Sequence, residues 1–337
     1  MDRISPFWAG ARKLAGRVDL CAVSEAAGGW AALSQSSVSD LVDLGVGEHV
    51  ARHWLGFDAE STMGVALTLA DPAYPPRLAV LPDAPPVLCV EGDPLALRSL
   101  AVAVVGTRNC TPYGAAVARH LGSAVARRGG VVVSGLARGI DGHAHRASLG
   151  GGRTVAVLGH GLPITSPSTH RDLRRRIVHQ GGAIVTGFPD EQRPTRWTFP
   201  MRNRWIAALA DVTVVVEAPF KSGALITATE AASMGRPVFA VPGALGQAHS
   251  GGCLALLEQG AQVLSDVEAF ADRVLGACAQ PEDPFLDALC DGPTPDVLAQ
   301  RLGMPLLDVL GKLAHLEVEG LVVRLPGQHY APMRDPS

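Results

Sequence analysis

From residue 101 onward the chain alternates short apolar runs with helix-length segments. The runs AVAVV (101–105), VVVS (131–134), TVAVL (154–158), AIVT (183–186), VTVVVE (212–217) and PVFAV (237–241) are almost unbroken in Val, Ala, Ile and Leu. Strands of that kind are buried on both faces, as in a parallel sheet. Helices fit between them at 113–128, 141–150, 169–180, 201–210 and 223–234, and a last strand (261–264) and helix (266–275) close the series. The alternation predicts an α/β fold, a doubly wound and mostly parallel sheet, with ligands expected beyond the carboxyl ends of the strands.

The flanking segments follow other patterns. Residues 1–62 read as a small helical module, in which LVDLGVGEHVARHW (41–54) sets a G-x-G turn between two helices, as in helix-hairpin-helix or sterile-alpha-motif modules. The Pro-rich stretch 70–93 reads as an extended lead-in to the sheet. ACAQPEDP (277–284) reads as a linker. Beyond it, helices near 284–290, 294–302 and 305–318 and a hairpin with Gly327 in its wing have the rhythm of a winged helix. The expected organisation is a helical module (1–62), a Rossmann-like domain (66–276), the linker, and a winged-helix domain (285–334).

Composition fits a packed soluble protein. The chain is 47% hydrophobic, with no apolar run near membrane-spanning length and no signal-peptide core behind its first residues. Six scattered cysteines form no C-x-x-C, which suits a reducing cytosol; the expectation is a cytoplasmic protein without membrane insertion. The overall net charge of −3 hides a division: residues 98–221 carry a net +11, residues 1–97 a net −6 and residues 222–337 a net −8. A basic middle between acidic ends points to a polyanionic partner for the middle alone, although RDLRRR (171–176) reads as a solvated helix face. The winged-helix segment 283–337 has a net charge of −4. A DNA reader is basic, so protein docking or regulation is the expected role there.

Every candidate loop sits where a strand ends. In VVGTRNCTPYG (104–114), Gly106 permits a tight turn and Arg108 presents a forked donor, but no G-x-G-x-x-G dinucleotide signature is present. In SGLARGIDGHAHR (134–146), Ser134 closes the strand, Gly135 and Gly139 let backbone N–H groups face an anion, Arg138 adds charge, and Asp141 is placed to N-cap the next helix. The segment 186–210 interleaves Arg193, Arg196, Arg202 and Arg204 with Trp197 and Phe199, a pattern suited to single strands. Phe199 either stacks on a base or fills the core beneath the loop. Lys221, Ser222 and Gly223 precede a helix and form a further phosphate seat. His143 and His145 lie two apart and do not share a helix face, so with His160 they read as packing or rim groups and no metal is expected. No G-x-S-x-G elbow marks a hydrolase.

Taken in order, VAVVGTRNCTPYG, SGLARGIDGHAH, TVAVLGHG, FPMRNR, VVEAPFKSGALITA and GRPVFAVPG resemble the DNA-processing protein A family over about residues 70–270. The resemblance implies a cytosolic, non-enzymatic protein without cofactor. Such a protein binds single-stranded DNA, protects strands entering during natural transformation and loads a RecA-type recombinase. It also implies a homodimer formed through the Rossmann-like domain, and a DNA pocket lined by Arg108 and by Arg202 to Arg204, with Arg138 and Lys221 at the same basic mouth. The full candidate DNA- and phosphate-binding set is Gly106, Thr107, Arg108, Ser134, Gly135, Arg138, Phe199, Arg202, Asn203, Arg204, Lys221, Ser222 and Gly223; no residue is assigned a catalytic role.

The chain departs from the family pattern at ITSPS (164–168), at Thr186 and Gly187, and at Leu254, where the family carries Asn. A rival reading is a nucleotide-processing enzyme of the lysine-decarboxylase-like phosphoribohydrolase group. Thr227 to Glu230 echo that group's loop, but Lys221-Ser222-Gly223 replaces its double glycine. Use in general recombination or defence is a further alternative.

Overall fold

The computed structural model describes residues 2–15, 17–276, 285, 288–289, 293–318, 322–325 and 327–332. The chain divides into two compact units, residues 1–277 and 278–337. In the first, β1 (Asp2–Ile4) leads into α1 (Pro6–Leu14), α2 (Leu20–Ala26), α3 (Trp30–Leu33), α4 (Val38–Asp43) and α5 (Glu48–Leu55). β2 (Glu60–Thr62) then returns antiparallel to β1. The G-x-G turn falls between α4 and α5: Gly45 has φ +87° and Gly47 is the N-cap of α5. Trp54 of α5 is wholly buried, and its indole N–H donates to the Phe7 carbonyl at 2.9 Å. This helical segment packs onto the sheet, its core merging with Val87, Cys89, Leu158 and Ile184.

β3 (Val65–Thr68), α6 (Pro76–Ala79) and β4 (Val87–Gly92) follow, then the expected alternation. It runs β5 (Ala101–Val105), α7 (Pro112–Arg127), β6 (Val131–Ser134), α8 (Ile140–Ser148), β7 (Arg153–Val157), α9 (Arg171–His179), β8 (Ala183–Thr186) and α10 (Thr198–Leu209). It continues with β9 (Val212–Val215), α11 (Gly223–Ser233), β10 (Val238–Ala240), α12 (Gly251–Glu258), β11 (Gln262–Val263) and α13 (Val267–Leu275). These strands form one nine-stranded sheet in the order β11-β10-β9-β5-β6-β7-β8-β4-β3. Seven run parallel; β4 pairs antiparallel with β8, and β3 antiparallel with β4.

The doubly wound α/β reading therefore holds, while the extended lead-in of 70–93 is corrected. Pro75 and Pro76 start the short α6, the last proline is Pro86, and β4 begins at the next residue. Val87 to Val90 are buried, because β4 sits between β8 and β3 inside the sheet. Elsewhere Val102, Val132, Val155 and Val214 are also at zero exposure. Each such burial contributes about 1.5–3 kcal/mol, and the few polar residues in these runs are small hydroxyls such as Ser134 and Thr154, which donate to the Val104 and Val132 carbonyls. One face of the sheet is covered by α6, α10, α11 and α12, the other by α7, α8, α9, α13 and the N-terminal helices.

The second unit contains α14 (Pro295–Leu302), α15 (Leu306–Val318) and an antiparallel hairpin of β12 (Val322–Leu325) and β13 (His329–Pro332). Gly327 (φ +80°) lies in the hairpin turn as expected, and Gly303 (φ +62°) ends α14 in the left-handed conformation that suits glycine. The core of this unit is Phe285, Leu289, Leu298, Val309, Leu313, Leu316, Val322 and Tyr330. The expected linker at 277–284, and most of the helix expected at 284–290, lie outside the described residues.

Candidate nucleic-acid interface

β5 and β9 are neighbours in the sheet, yet the chain leaves β5 toward β6 on one side and β9 toward β10 on the other. This is the topological switch point, where the loops diverge and open a crevice at the carboxyl ends of the strands. A cleft of about 910 Å³ lies there, lined by the turn Gly106–Arg108, the first turns of α10 and the loop from Pro219 into α11. Gly106 is needed for close packing: a Cβ would stand 2.5 Å from Ile140 Cγ1 and 2.9 Å from the Glu217 carbonyl oxygen. The Thr107 N–H donates to that carbonyl at 2.7 Å, and its own carbonyl accepts from Ile140 N–H at 3.3 Å. Arg108 is thereby held on a fixed turn. Its exposed guanidinium lies 5.0 Å from the Phe199 ring centroid.

The carboxylates nearest this turn are already engaged. Glu217, only 6% exposed, accepts from the Thr111 N–H at 2.9 Å and from the Thr111 hydroxyl, so its charge is spent at the N-terminus of α7. Asp141 is wholly buried; burial pushes its carboxyl above the usual carboxylate range, against the opposing pull of the Arg202 guanidinium and the Ala137 and Gly135 amides.

The turn at 134–146 holds the largest correction. Ser134 is at zero exposure and donates its hydroxyl to the Val104 carbonyl at 2.7 Å, so it faces the sheet and not an anion. The Gly135 N–H donates to Asp141 Oδ2 at 3.0 Å and is equally withdrawn. Gly135 is glycine because a Cβ there would fall 1.5 Å from Arg202 Nη1. Nor is Asp141 the N-cap of α8: Gly139 (φ +74°) holds that position, and Asp141 in the first turn folds back onto the loop amides.

The histidines of this turn also find their places. Leu136 is non-glycine at φ +55° and is held from both sides. Its N–H donates to His145 Nε2 at 3.3 Å, and its carbonyl accepts from His170 Nδ1 at 3.0 Å. The Thr154 hydroxyl donates to the Val132 carbonyl at 2.7 Å, so it must accept from His145 Nδ1, also at 2.7 Å. His145 is therefore neutral with its proton on Nδ1, and burial lowers its pKa to about 3. It is a structural group. His160 is likewise buried, its Nδ1 donating to the Gly161 carbonyl at 3.0 Å, while His143 is only half-buried. Arg138 is exposed.

Of the α10 arginines, Arg202 forms part of the cleft wall but is 4% exposed. Its Nη1 donates to the Val157 carbonyl at 3.0 Å, its plane lies 5.8 Å from the Phe199 centroid, and burial lowers its pKa to about 10. Arg204 is not part of the cleft lining: its Nε sits 3.2 Å from Asp83 Oδ1 and 3.5 Å from Glu230 Oε2. Asn203 ties α10 to α11 by donating to the Gly223 carbonyl at 3.0 Å. Arg202 and Asn203 thus line the cleft while bonded to backbone carbonyls, whereas Arg204 lies outside the lining, a correction to its expected place in the pocket.

Lys221 and Gly223 are exposed in the cleft, and the Ser222 hydroxyl caps α11 by accepting from Ala224 N–H at 3.3 Å. Phe199 is half-buried and carries both arginines. Trp197, 51% exposed, packs edge-on against Phe188 and takes no part in the lining. Phe220 went unmarked in the sequence, yet it is 71% exposed on the cleft wall, its ring lying over Gly251 where a Cβ would meet it at 2.5 Å. Its one sequence signal is an aromatic beside Lys221 in a glycine-containing turn.

Fold and cleft define an α/β protein with a basic, aromatic-walled crevice at its switch point, followed by a separate helical unit with a wing. The DNA recombination-mediator protein A family matches residues 65–275, and the DprA winged-helix domain matches residues 277–328. The chain belongs to the DNA recombination-mediator protein A family. It is 39% identical over 275 residues to protein Smf of Escherichia coli (strain K12), covering 75% of this chain and 74% of that one. The X-ray structure of DNA processing protein A from Streptococcus pneumoniae superposes with a TM-score of 0.70 at 30% identity, covering 80% of this chain and 98% of the other. The Helicobacter pylori protein, described for its unique single-stranded DNA binding mode, gives a TM-score of 0.58 at 30% identity over 64% of this chain and 98% of its own.

Proposed function

We propose that the chain binds single-stranded DNA in the switch-point cleft, as a cytoplasmic homodimer formed through residues 66–276. In this reading it shields the strand and passes it to a RecA-type recombinase during natural transformation, without itself breaking a bond. The observation that carries the reading is Arg108. It is exposed, pairs with no carboxylate among the described residues and lies over Phe199 at a cleft that also takes in Lys221. Cations of this kind follow a phosphate backbone, and aromatic faces such as Phe199 and Phe220 stack on unpaired bases. The N-terminal amides of α11 at Ser222 and Gly223 add a seat for one phosphate. The contact set is then Gly106, Thr107, Arg108, Arg138, Phe199, Phe220, Lys221, Ser222 and Gly223, with Arg202 and Asn203 in the cleft wall and Ser134, Gly135 and Arg204 supporting it from behind.

The test is a salt series with oligothymidine. Arg108→Ala is expected to weaken binding and to shallow the slope of log K against log salt by about 0.7, the loss of one phosphate contact to a single strand. Wild-type affinity and slope would overturn the cleft reading. Release of free base from nucleoside monophosphates would overturn its non-enzymatic part; Glu230, which such an enzyme would use, is instead paired with Arg204.

A further inference from the structure

Cations on α7 receive two different treatments. His120 at mid-helix, Arg127 in its last turn and Arg128 at its C-cap are all taken up by α13: Glu268 lies 2.5 Å from Arg127 Nη2, 2.8 Å from Arg128 Nη1 and 2.7 Å from His120 Nε2, and Asp272 lies 2.6 Å from Arg128 Nη2. Arg119, on the same helix, is exposed and has no such partner among the described residues. The same holds for Arg146 on α8 and for Arg138 in the turn before it.

These cations, which face no carboxylate among the described residues, are gathered at one place, where Arg146 Nη1 donates to the Gly142 carbonyl at 3.1 Å. α7 and α8 meet without an intervening side chain at Gly122, where a Cβ would be 2.4 Å from the Ala144 carbonyl oxygen and 3.1 Å from Ala147 Cβ. Arg119 is one turn before Gly122, and His143 adjoins Ala144. His143 and Arg146, three apart, share a face of α8. Gly142 makes room for the other members: a Cβ there would be 2.8 Å from His170 Cε1 and 3.0 Å from Arg146 Nη1. Burial, followed by the nearby positive charge of Arg119, Arg146 and His170, lowers the pKa of half-buried His143. Asp141, the acid of this turn, is buried and committed to the loop amides.

We infer that Arg119, His143 and Arg146 form a track that continues the phosphate path from the cleft, past Arg138, onto the outer face of α7 and α8. The inference rests on the cleft reading above and adds length to it. Pro112 to Arg119 spans about 10 Å along α7, room for about three phosphates of a stacked strand. The partner is thus a longer stretch of the same strand. Mobile acidic protein segments would meet the same charges but would not depend on strand length.

The experiment compares the full chain with its Arg119→Ala/Arg146→Ala variant on oligothymidines of about 6 and about 20 nucleotides, bracketing typical site sizes. On the long strand the salt slope is expected to fall by about 1.4, two contacts of about 0.7 each, with binding of the short strand unchanged. The Arg119→Lys/Arg146→Lys variant is expected to keep most of the long-strand slope, which separates charge from misfolding. An equal loss on both lengths, or none on the long one, overturns the track. Arg108→Ala in the same assay must weaken both lengths; if it does not, the cleft reading fails whatever the track does.

Discussion

Arg108 and Arg202 lie over the same phenylalanine ring, yet one guanidinium faces solvent and the other is 4% exposed. The difference is set by Gly135, whose missing side chain is the space that Arg202 Nη1 occupies. Gly135→Ala should push that guanidinium off the Val157 carbonyl and overpack the floor of the cleft, at a cost of about 1–3 kcal/mol. Denaturant unfolding measures it; a variant as stable as wild type would mean that Arg202 has another place to go. At this scale the sequence is least legible. Ser134, Gly135, Asp141 and Arg202 are residue types that commonly meet ligands, and nothing in their spacing says that the loop turns them inward. That direction comes from tertiary neighbours, Val104 for Ser134 and Val157 for Arg202, which are 30 and 45 residues away. Arg108 and Lys221 were legible because a cation on a turn after a buried strand has few other places to point.

Elements were easier to read than side chains, because strands buried on both faces are apolar along most of their length, with only small hydroxyls such as Ser134, Thr154 and Thr213 among their buried residues. β5 to β10 announce themselves in this way. β3 and β4 did not, since prolines on both sides of α6 dominate that window and hide a buried strand of six residues. What joins elements was also invisible, as the pairing of α7 with α13 through Glu268 shows. Burial alone would raise the pKa of this carboxyl, but hydrogen bonds from His120, Arg128 and Arg127 outweigh it and hold it at about 2. The folded pKa lies below the unfolded value, so this stabilisation is complete above about pH 4.5 and is lost as pH falls toward 2. The side chain is about a third exposed, which keeps the contribution modest. Glu268→Gln should therefore melt below wild type at neutral pH, with the gap narrowing as the pH is taken down to about 3. A gap of constant size across that range would show that the ion pairs contribute nothing beyond packing.

At the scale of the whole molecule, charge and core divide along the same boundary. The three hydrophobic clusters of the first unit contain no residue beyond 275, and the cluster of the second contains none before 285. Residues 1–276 carry a net charge of +2, whereas residues 277–337 carry −5. In the second unit α15, the helix that a DNA-reading winged helix places in the major groove, exposes Leu307 (82%) and Val318 (88%) instead of a row of cations. The proposed phosphate path is therefore assigned to the first unit alone. A chain ending at Gly276 should unfold in one cooperative step and bind oligothymidine at least as tightly as the full chain, with the same salt slope, because no phosphate-facing cation has been removed and a net −5 has. A shallower slope would place cations of the second unit on the strand. Unchanged binding together with lost transfer to a recombinase would assign the apolar face of α15 to a protein partner, and so separate holding the strand from handing it on.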